Sequence, residues 1–363
     1  LLVCGMSEIR FGTDGWRGVI AEDVTFANVR LVARAIARCV LTEAGCRANR
    51  HVLVGHDTRF LSREFACAAA EAMTEEGVQV SLTSAFAPTP AFSYAVVRLQ
   101  AAGAVVITAS HNPPQYSGVK FKSSLGESAP IPFTRAVEEE IRRLSAEPSS
   151  RAQAEGRRAP LPAAQQAGSA ASPDFAIRNP QSAIGSFDAR GPWLDRLEEL
   201  VDLGRIGRSG IRVAFDMMYG AGQGLLSERL RRAGATVVEL HGELNPGFGG
   251  LNPEPIPVHM GALIDCVRSW EGTGSRVGFA FDGDSDRVAP VDEEGNVITP
   301  HQTLALLLRH LARNRRERGT VVKSVNIGHM VDAEAEALGV PVVVTPVGFK
   351  HIAEAMQRHD ALA

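Results

Sequence analysis

Five cysteines are too few to staple a chain of 363 residues, and their number is odd. Cys4, Cys39, Cys46, Cys67 and Cys266 stand at irregular spacings, which predicts reduced thiols in a reducing compartment. Cys39 and Cys67 sit among apolar helical residues, where a thiol serves packing. Long apolar runs are missing as well. No stretch approaches transmembrane length, and the opening Leu1-Leu2-Val3-Cys4 is too short for a signal-peptide core. A cytoplasmic location with no membrane partner is the expectation. Charge of one sign is also lacking: the formal net charge is −3, and the arginines are mostly spread along helices beside glutamates. Binders of nucleic acid concentrate a basic face, so no nucleic-acid partner is expected.

What is present is a repeated alternation of strand and helix. Single cores rarely grow past about 250 to 300 residues, so the length predicts two or three domains. Phe26, Val29, Ala33, Ile36 and Val40 recur every three or four residues on one helical face, with Thr25 placed to cap its start and Gly45 its end. Strands are expected at Val52 to Val54, Val78 to Leu82 and Ala104 to Ile107, separated by helices. Such alternation indicates α/β units with largely parallel pairing. Phe133, Val137, Ile141 and Leu144 line a closing helix. We read residues 7–144 as a first domain. Residues 145–188, rich in alanine, glutamine, serine, proline and arginine, lose periodicity and read as a linker or surface excursion. Residues 189–298 form a second domain, and 299–363 a third that is expected to be incomplete. It opens on Thr299-Pro300-His301-Gln302, a sequence suited to a capping box. The fold class is therefore α/β, with three consecutive domains of related build.

Two loops stand out chemically. The strand Ala104 to Ile107 stops at Thr108-Ala109-Ser110-His111-Asn112-Pro113-Pro114, where the prolines forbid further helix or central strand. Ser110 is thus presented at a strand end, where open α/β sheets place chemistry. Downstream, Val277 to Phe281 ends in Asp282-Gly283-Asp284-Ser285-Asp286-Arg287. Three carboxylates at alternate positions can converge on one hard cation. An EF-hand begins the same way, but Arg287 stands where that loop needs glycine. A third feature, the glycine-rich turn at Gly220-Ala221-Gly222-Gln223-Gly224, suits either phosphate or tight packing. Between the two loops, Val119-Lys120-Phe121-Lys122 alternates, so both lysines share one side of a strand.

With Phe11-Gly12-Thr13-Asp14-Gly15-Trp16-Arg17-Gly18, these loops resemble the α-D-phosphohexomutase family, which includes phosphoglucomutases and phosphomannomutases. The likeness runs from about Ile9 to Ile352. It implies mixed, largely parallel sheets around a central cleft. It also implies that Ser110 is phosphorylated and that Asp282, Asp284 and Asp286, together with Ser110, hold one Mg2+. Three carboxylates and a near-dianionic phosphoserine sum to about five negative charges, which one divalent ion does not balance. Arg17, Arg287, Lys120 and His111 are the candidates to make up the difference, with Lys120 also the expected proton acceptor. Lys350, in a Val-Gly-Phe-Lys segment resembling a substrate-facing loop, is the expected contact to the sugar phosphate.

The implied activity is interconversion of hexose 1-phosphate and hexose 6-phosphate through a hexose 1,6-bisphosphate, an intramolecular phosphotransferase reaction of carbohydrate metabolism. Trp16 and the Gly-Phe-Lys segment incline the expectation to glucose or mannose. A phosphoglucosamine mutase and an inactive magnesium and sugar-phosphate binding protein are the alternatives. Two departures from the family accompany this. Ser285 replaces the usual glycine or alanine, and neither the family's sugar-reading loop nor its phosphate-gripping loop occurs. A chain lacking the C-terminal fourth domain is therefore expected.

Overall fold

The computed structural model describes residues 8–12, 14–42, 49–147, 184–272 and 274–363. Three sheets follow one another along the chain. The first contains β1 (Trp16–Val19), β2 (His51–His56), β3 (Gln79–Thr83), β4 (Gly103–Ile107), β5 (Tyr116–Lys122) and β6 (Gly185–Phe187), in the order β1-β5-β4-β2-β3-β6. β4, β2, β3 and β6 run parallel, whereas β5 is antiparallel to both β4 and β1. Alternate residues of β2 and β4 serve two cores. Val52, Val54, Val105 and Ile107 face helices α1 (Phe26–Thr42), α2 (Ser62–Glu75) and α4 (Ile131–Ala146). Leu53, Ala104 and Val106 face α3 (Thr89–Arg98) and α5 (Arg190–Leu200). Burial on both faces explains why these strands read as continuous apolar runs.

The helices obey their sequence patterns closely. α1 buries Val29, Ala33, Ile36 and Val40, and the Thr25 hydroxyl accepts from the Asn28 amide at 3.2 Å. Gly45, the expected cap at the other end, lies outside the described residues. Phe26 departs from the expected stripe: it is exposed and leans its ring on Phe65 at 4.7 Å. α4 buries the four expected residues, Phe133, Val137, Ile141 and Leu144.

The stretch expected to be linker is more ordered at its ends than its composition suggests. α4 continues to Ala146, and Gly185–Phe187 joins the first sheet as β6, pairing with Ser81 to Thr83. A three-residue strand needs no apolar periodicity, because the open edge of β3 supplies its backbone partners. Residues 148–183 lie outside the described residues.

The second sheet holds β7 (Arg212–Asp216), β8 (Thr236–Leu240), β9 (Arg276–Phe281) and β10 (Val288–Val291), in the order β10-β9-β7-β8. Only the β9–β10 pair is antiparallel, and the aspartate loop connects it. α6 (Leu203–Arg208) and α7 (Leu225–Arg232) cover one face, α8 (Gly261–Ser269) the other. Pro290 is tolerated because β10 is an edge strand. The third unit pairs β11 (Val321–Ser324) with β12 (Val342–Thr345) in parallel, beside α9 (Pro300–Arg309), α10 (His329–Leu338) and α11 (Phe349–Arg358). Among the described residues, no helix is long and apolar enough to cross a membrane.

The capping box of α9 forms in full. The Gln302 amide donates to Thr299 Oγ1 at 3.3 Å, and the Thr299 amide donates to Gln302 Oε1 at 2.8 Å. Thr299→Ala should therefore cost about 1 kcal/mol, read as an earlier midpoint in urea unfolding of the third unit. An unchanged midpoint would contradict a stabilising cap.

Candidate active site

Parallel strands deliver their carboxyl ends to one edge of a sheet, and two such edges meet here. β4 ends three residues before Ser110, and β9 ends one residue before Asp282. Ser110 is fully buried and adopts a left-handed backbone with φ of 52°. Its amide donates to Thr108 Oγ1 at 2.9 Å, which closes the turn. Its hydroxyl donates to Asp282 Oδ2 at 2.9 Å. The two loops meet backbone to backbone as well. A methyl group on Gly283 would lie 2.6 Å from the Ser110 carbonyl oxygen, so only glycine permits this approach.

The second sheet supports the aspartate loop from below. Ala221 donates its amide to the Gly283 carbonyl at 2.9 Å, and a side chain on Gly220 would lie 2.8 Å from the carbonyls of Asp282 and Gly283. The glycine-rich turn thus serves close packing. Thr89, at the start of α3 in the first domain, donates its hydroxyl to Asp284 Oδ2 at 2.6 Å and its amide to the Asp284 carbonyl at 2.9 Å. Ser285 takes up φ of 55°, a conformation in which glycine is relaxed and serine is strained.

The three carboxylates gather within 4.8 Å of one another and divide their oxygens between two sides. Lys120 Nζ donates to Asp284 Oδ2 at 2.8 Å and Asp286 Oδ2 at 3.0 Å, and pairs with Asp14 Oδ2 at 2.7 Å. Asp282 Oδ1 accepts from the amides of Asp286 and Arg287. Asp284 Oδ1 and Asp286 Oδ1 remain buried with no hydrogen-bond partner. Buried carboxylate oxygens without partners are costly, and together with Asp282 Oδ2 and Ser110 Oγ they form an all-oxygen donor set. That set fits a hard divalent cation.

Burial and charge together perturb Asp282, Asp284 and Lys120. Burial, reinforced by the negative charges of Asp284 and Asp286, pushes Asp282 well above the usual carboxylate range. Burial would raise Asp284 too, but the ammonium of Lys120 holds it well below that range. Burial disfavours the charge on Lys120, yet Asp284, Asp286 and Asp14 outweigh it and hold the amine above its ordinary value. A like-charge cluster of this kind is relieved by a counter-cation on its open side.

Of the expected site residues, the structure brings Ser110, Lys120, Asp282, Asp284 and Asp286 into direct contact. His111 Nδ1 lies 3.4 Å from Ser110 Oγ. Burial, with the positive charges of Arg287 and Arg17, keeps His111 below its ordinary pKa. Arg17 reaches the loop through Asn112 Oδ1 at 2.8 Å. Arg287 is exposed, with Nε 3.9 to 4.0 Å from Asp286 and Asp282 oxygens, too long for hydrogen bonds. Lys350 falls in the first turn of α11, and its side chain lies outside the described residues, as does Thr13. Above the triad opens a cleft of about 390 Å³ to which all three units contribute, including Arg10, Arg17, His111, Arg287, Gly348 and Phe349.

Sequence reasoning assigned no role to Asp14, Thr89 or Arg59. Asp14 Oδ1 accepts from Ser128 Oγ at 2.7 Å while Oδ2 meets Lys120, so it orients the lysine. The signal available for Arg59 was its position in the polar run after β2, a strand parallel to β4 whose end faces the same edge. Trp16 shows the reverse. Its ring is buried in the first core, so its part in the motif is packing and not contact with a sugar in the cleft.

Comparison with known proteins agrees with this three-domain architecture. The models for phosphoglucomutase/phosphomannomutase alpha/beta/alpha domains I, II and III match residues 8–148, 191–295 and 299–363. The phosphoglucosamine mutase of Rubrobacter xylanophilus is 31% identical over 98% of this chain and 69% of its own length. That of Parafrankia sp. is 32% identical over 96% of this chain and 71% of its own. The crystal structure of a candidate phosphomannomutase from Thermus thermophilus superposes with a TM-score of 0.78 at 35% identity, covering 97% of this chain and 72% of that one. Matched in three successive domains, the chain belongs to the phosphoglucomutase/phosphomannomutase family of α-D-phosphohexomutases, which are intramolecular phosphotransferases.

Proposed function

We propose that this chain interconverts hexose 1-phosphate and hexose 6-phosphate by way of a phosphoserine at Ser110 and a hexose 1,6-bisphosphate, with glucose or mannose phosphate as substrate. The observation that carries the reading is the contact of Ser110 Oγ with Asp282 Oδ2 at 2.9 Å across two domains. Asp282, Asp284, Asp286 and Ser110 would hold Mg2+, which when bound supplies positive charge beside the transferring phosphoryl group.

The remaining work falls to side chains. Phosphoryl transfer depends mainly on alignment and charge cancellation. The attacking sugar hydroxyl forms a bond to phosphorus as the bond to Ser110 Oγ breaks, and the hydroxyl proton must leave. Lys120 cancels charge on Asp14, Asp284 and Asp286. To accept that proton it needs its neutral amine, and so must first lose a carboxylate contact. Arg17, Arg287 and His111 flank the cleft above Ser110, where guanidinium forks suit phosphate. Lys350 remains the proposed contact to the sugar phosphate.

A second reading is favoured by the relatives at 31% and 32% identity, both named phosphoglucosamine mutases. In that reading the substrate carries a 2-amino group.

Incubation with labelled hexose bisphosphate should place label on Ser110, and Ser110→Ala should carry none. Label retained by the variant would contradict the phosphoserine. Comparison of kcat/KM for glucose, mannose and glucosamine 1-phosphates separates the two readings, and no transfer from phosphoserine to any of them would reject both. Gly283→Ala should lower turnover about 100-fold by forcing the loops apart; a wild-type rate would contradict the need for their contact.

A further inference from the structure

Arg59 is a cation with no role in the chemistry above, yet its side chain is wholly buried at the same edge. All four of its terminal N–H groups find backbone carbonyls. Nη2 donates to Ser110 and Asn112, each at 2.6 Å, and Nη1 donates to Pro113 at 2.9 Å and Tyr116 at 3.0 Å. Every acceptor belongs to the seven-residue stretch 110–116 that begins with the proposed nucleophile. The arginine is itself held from behind. Asp57 Oδ1 accepts from the Arg59 amide at 2.9 Å and from Ser62 Oγ at 2.7 Å, while Asp57 Oδ2 lies 3.3 Å from Arg59 Nε as an ion pair. On its open face sits the ring of Phe248, fully buried, with its centroid 4.9 Å from the guanidinium carbon. Phe248 comes from the second domain, so one guanidinium touches both halves of the site.

We infer that Arg59 is a positioning residue that fixes the serine loop in its transfer geometry and sets it relative to the second domain. Ser110 carries backbone strain at its left-handed φ of 52°, and such strain persists only where surroundings over-determine the conformation. Four carbonyls converging on one planar fork do that. Lysine cannot replace the fork, because its three donors radiate from one point and cannot reach four acceptors in a plane. Arg59 hydrogen-bonds to none of the three aspartates and does not line the cleft, so its direct side-chain contacts at this edge are with the serine loop, Asp57 and Phe248.

The test compares wild-type protein with Arg59→Lys and Phe248→Leu. Amide hydrogen exchange reads the clamp directly, independent of any activity. In Arg59→Lys, residues 108–117 should exchange on the order of tenfold faster, with β2 and α1 still protected. The consequence for transfer rests on the function proposed above: kcat should fall about 100-fold with KM within twofold. Phe248→Leu, which leaves the hydrogen bonds in place, should show the same pattern more weakly and covers the case in which Arg59→Lys fails to fold. Unchanged exchange at 108–117 in a folded variant would overturn the clamp, as would a rise in KM at constant kcat. Accelerated exchange in a protein whose wild type transfers no phosphate would support the clamp and reject the proposed function instead.

Discussion

A hydroxyl from one domain donating to a carboxylate of the next, Ser110 to Asp282 at 2.9 Å, is the contact around which the molecule is arranged. Neither loop could reach the other without exceptions to ordinary backbone behaviour. Ser110 and Ser285 both take left-handed conformations, and Gly283 leaves out the side chain that would strike the Ser110 carbonyl. Thr89 and the turn at Gly220 and Ala221 then hold the aspartate loop from opposite sides. Strain collected at one place, and supported from two sheets, is how a fold keeps a reactive geometry in its ground state.

The electrostatics have a matching logic. Lys120 occupies one side of Asp284 and Asp286, leaving the other pair of oxygens buried and unpartnered. A lone lysine cannot balance three carboxylates, and Asp282 is raised by its burial and, after that, by the remaining repulsion of Asp284 and Asp286. The carboxylates therefore act as bridges between a fixed ammonium and an all-oxygen site on the cleft side. Asp14, joined to both Lys120 and Ser128, keeps that ammonium from following the cleft's charge.

Much of this could be read from sequence because it rests on local pattern. Continuous apolar runs located β4 and β9, apolar spacing of three or four residues located α1 and α4, and the capping box at Thr299 formed as spelled. Pro113 and Pro114 marked the serine loop, and Gly283 among alternating aspartates marked the other. What escaped was long-range. Arg59 and Asp14 owe their places to partners 51 and 114 residues away, through Ser110 and Ser128 respectively, and nothing near either residue names those partners. β6 escaped for a different reason: its stability comes from the free edge of β3 and not from its own residues. Trp16, known from sequence only as part of a motif, is a core residue because β1 turns it inward.

The sharpest check is where a divalent ion binds. Crystals grown with Mn2+ and measured at its absorption edge give that position from anomalous scattering alone. One strong peak is expected within about 2.2 Å of oxygens from Asp282, Asp284 and Asp286 and of Ser110 Oγ or the phosphate it carries. A peak elsewhere, or one on the aspartates that leaves Ser110 out of reach, would contradict the shared site on which the proposed transfer depends.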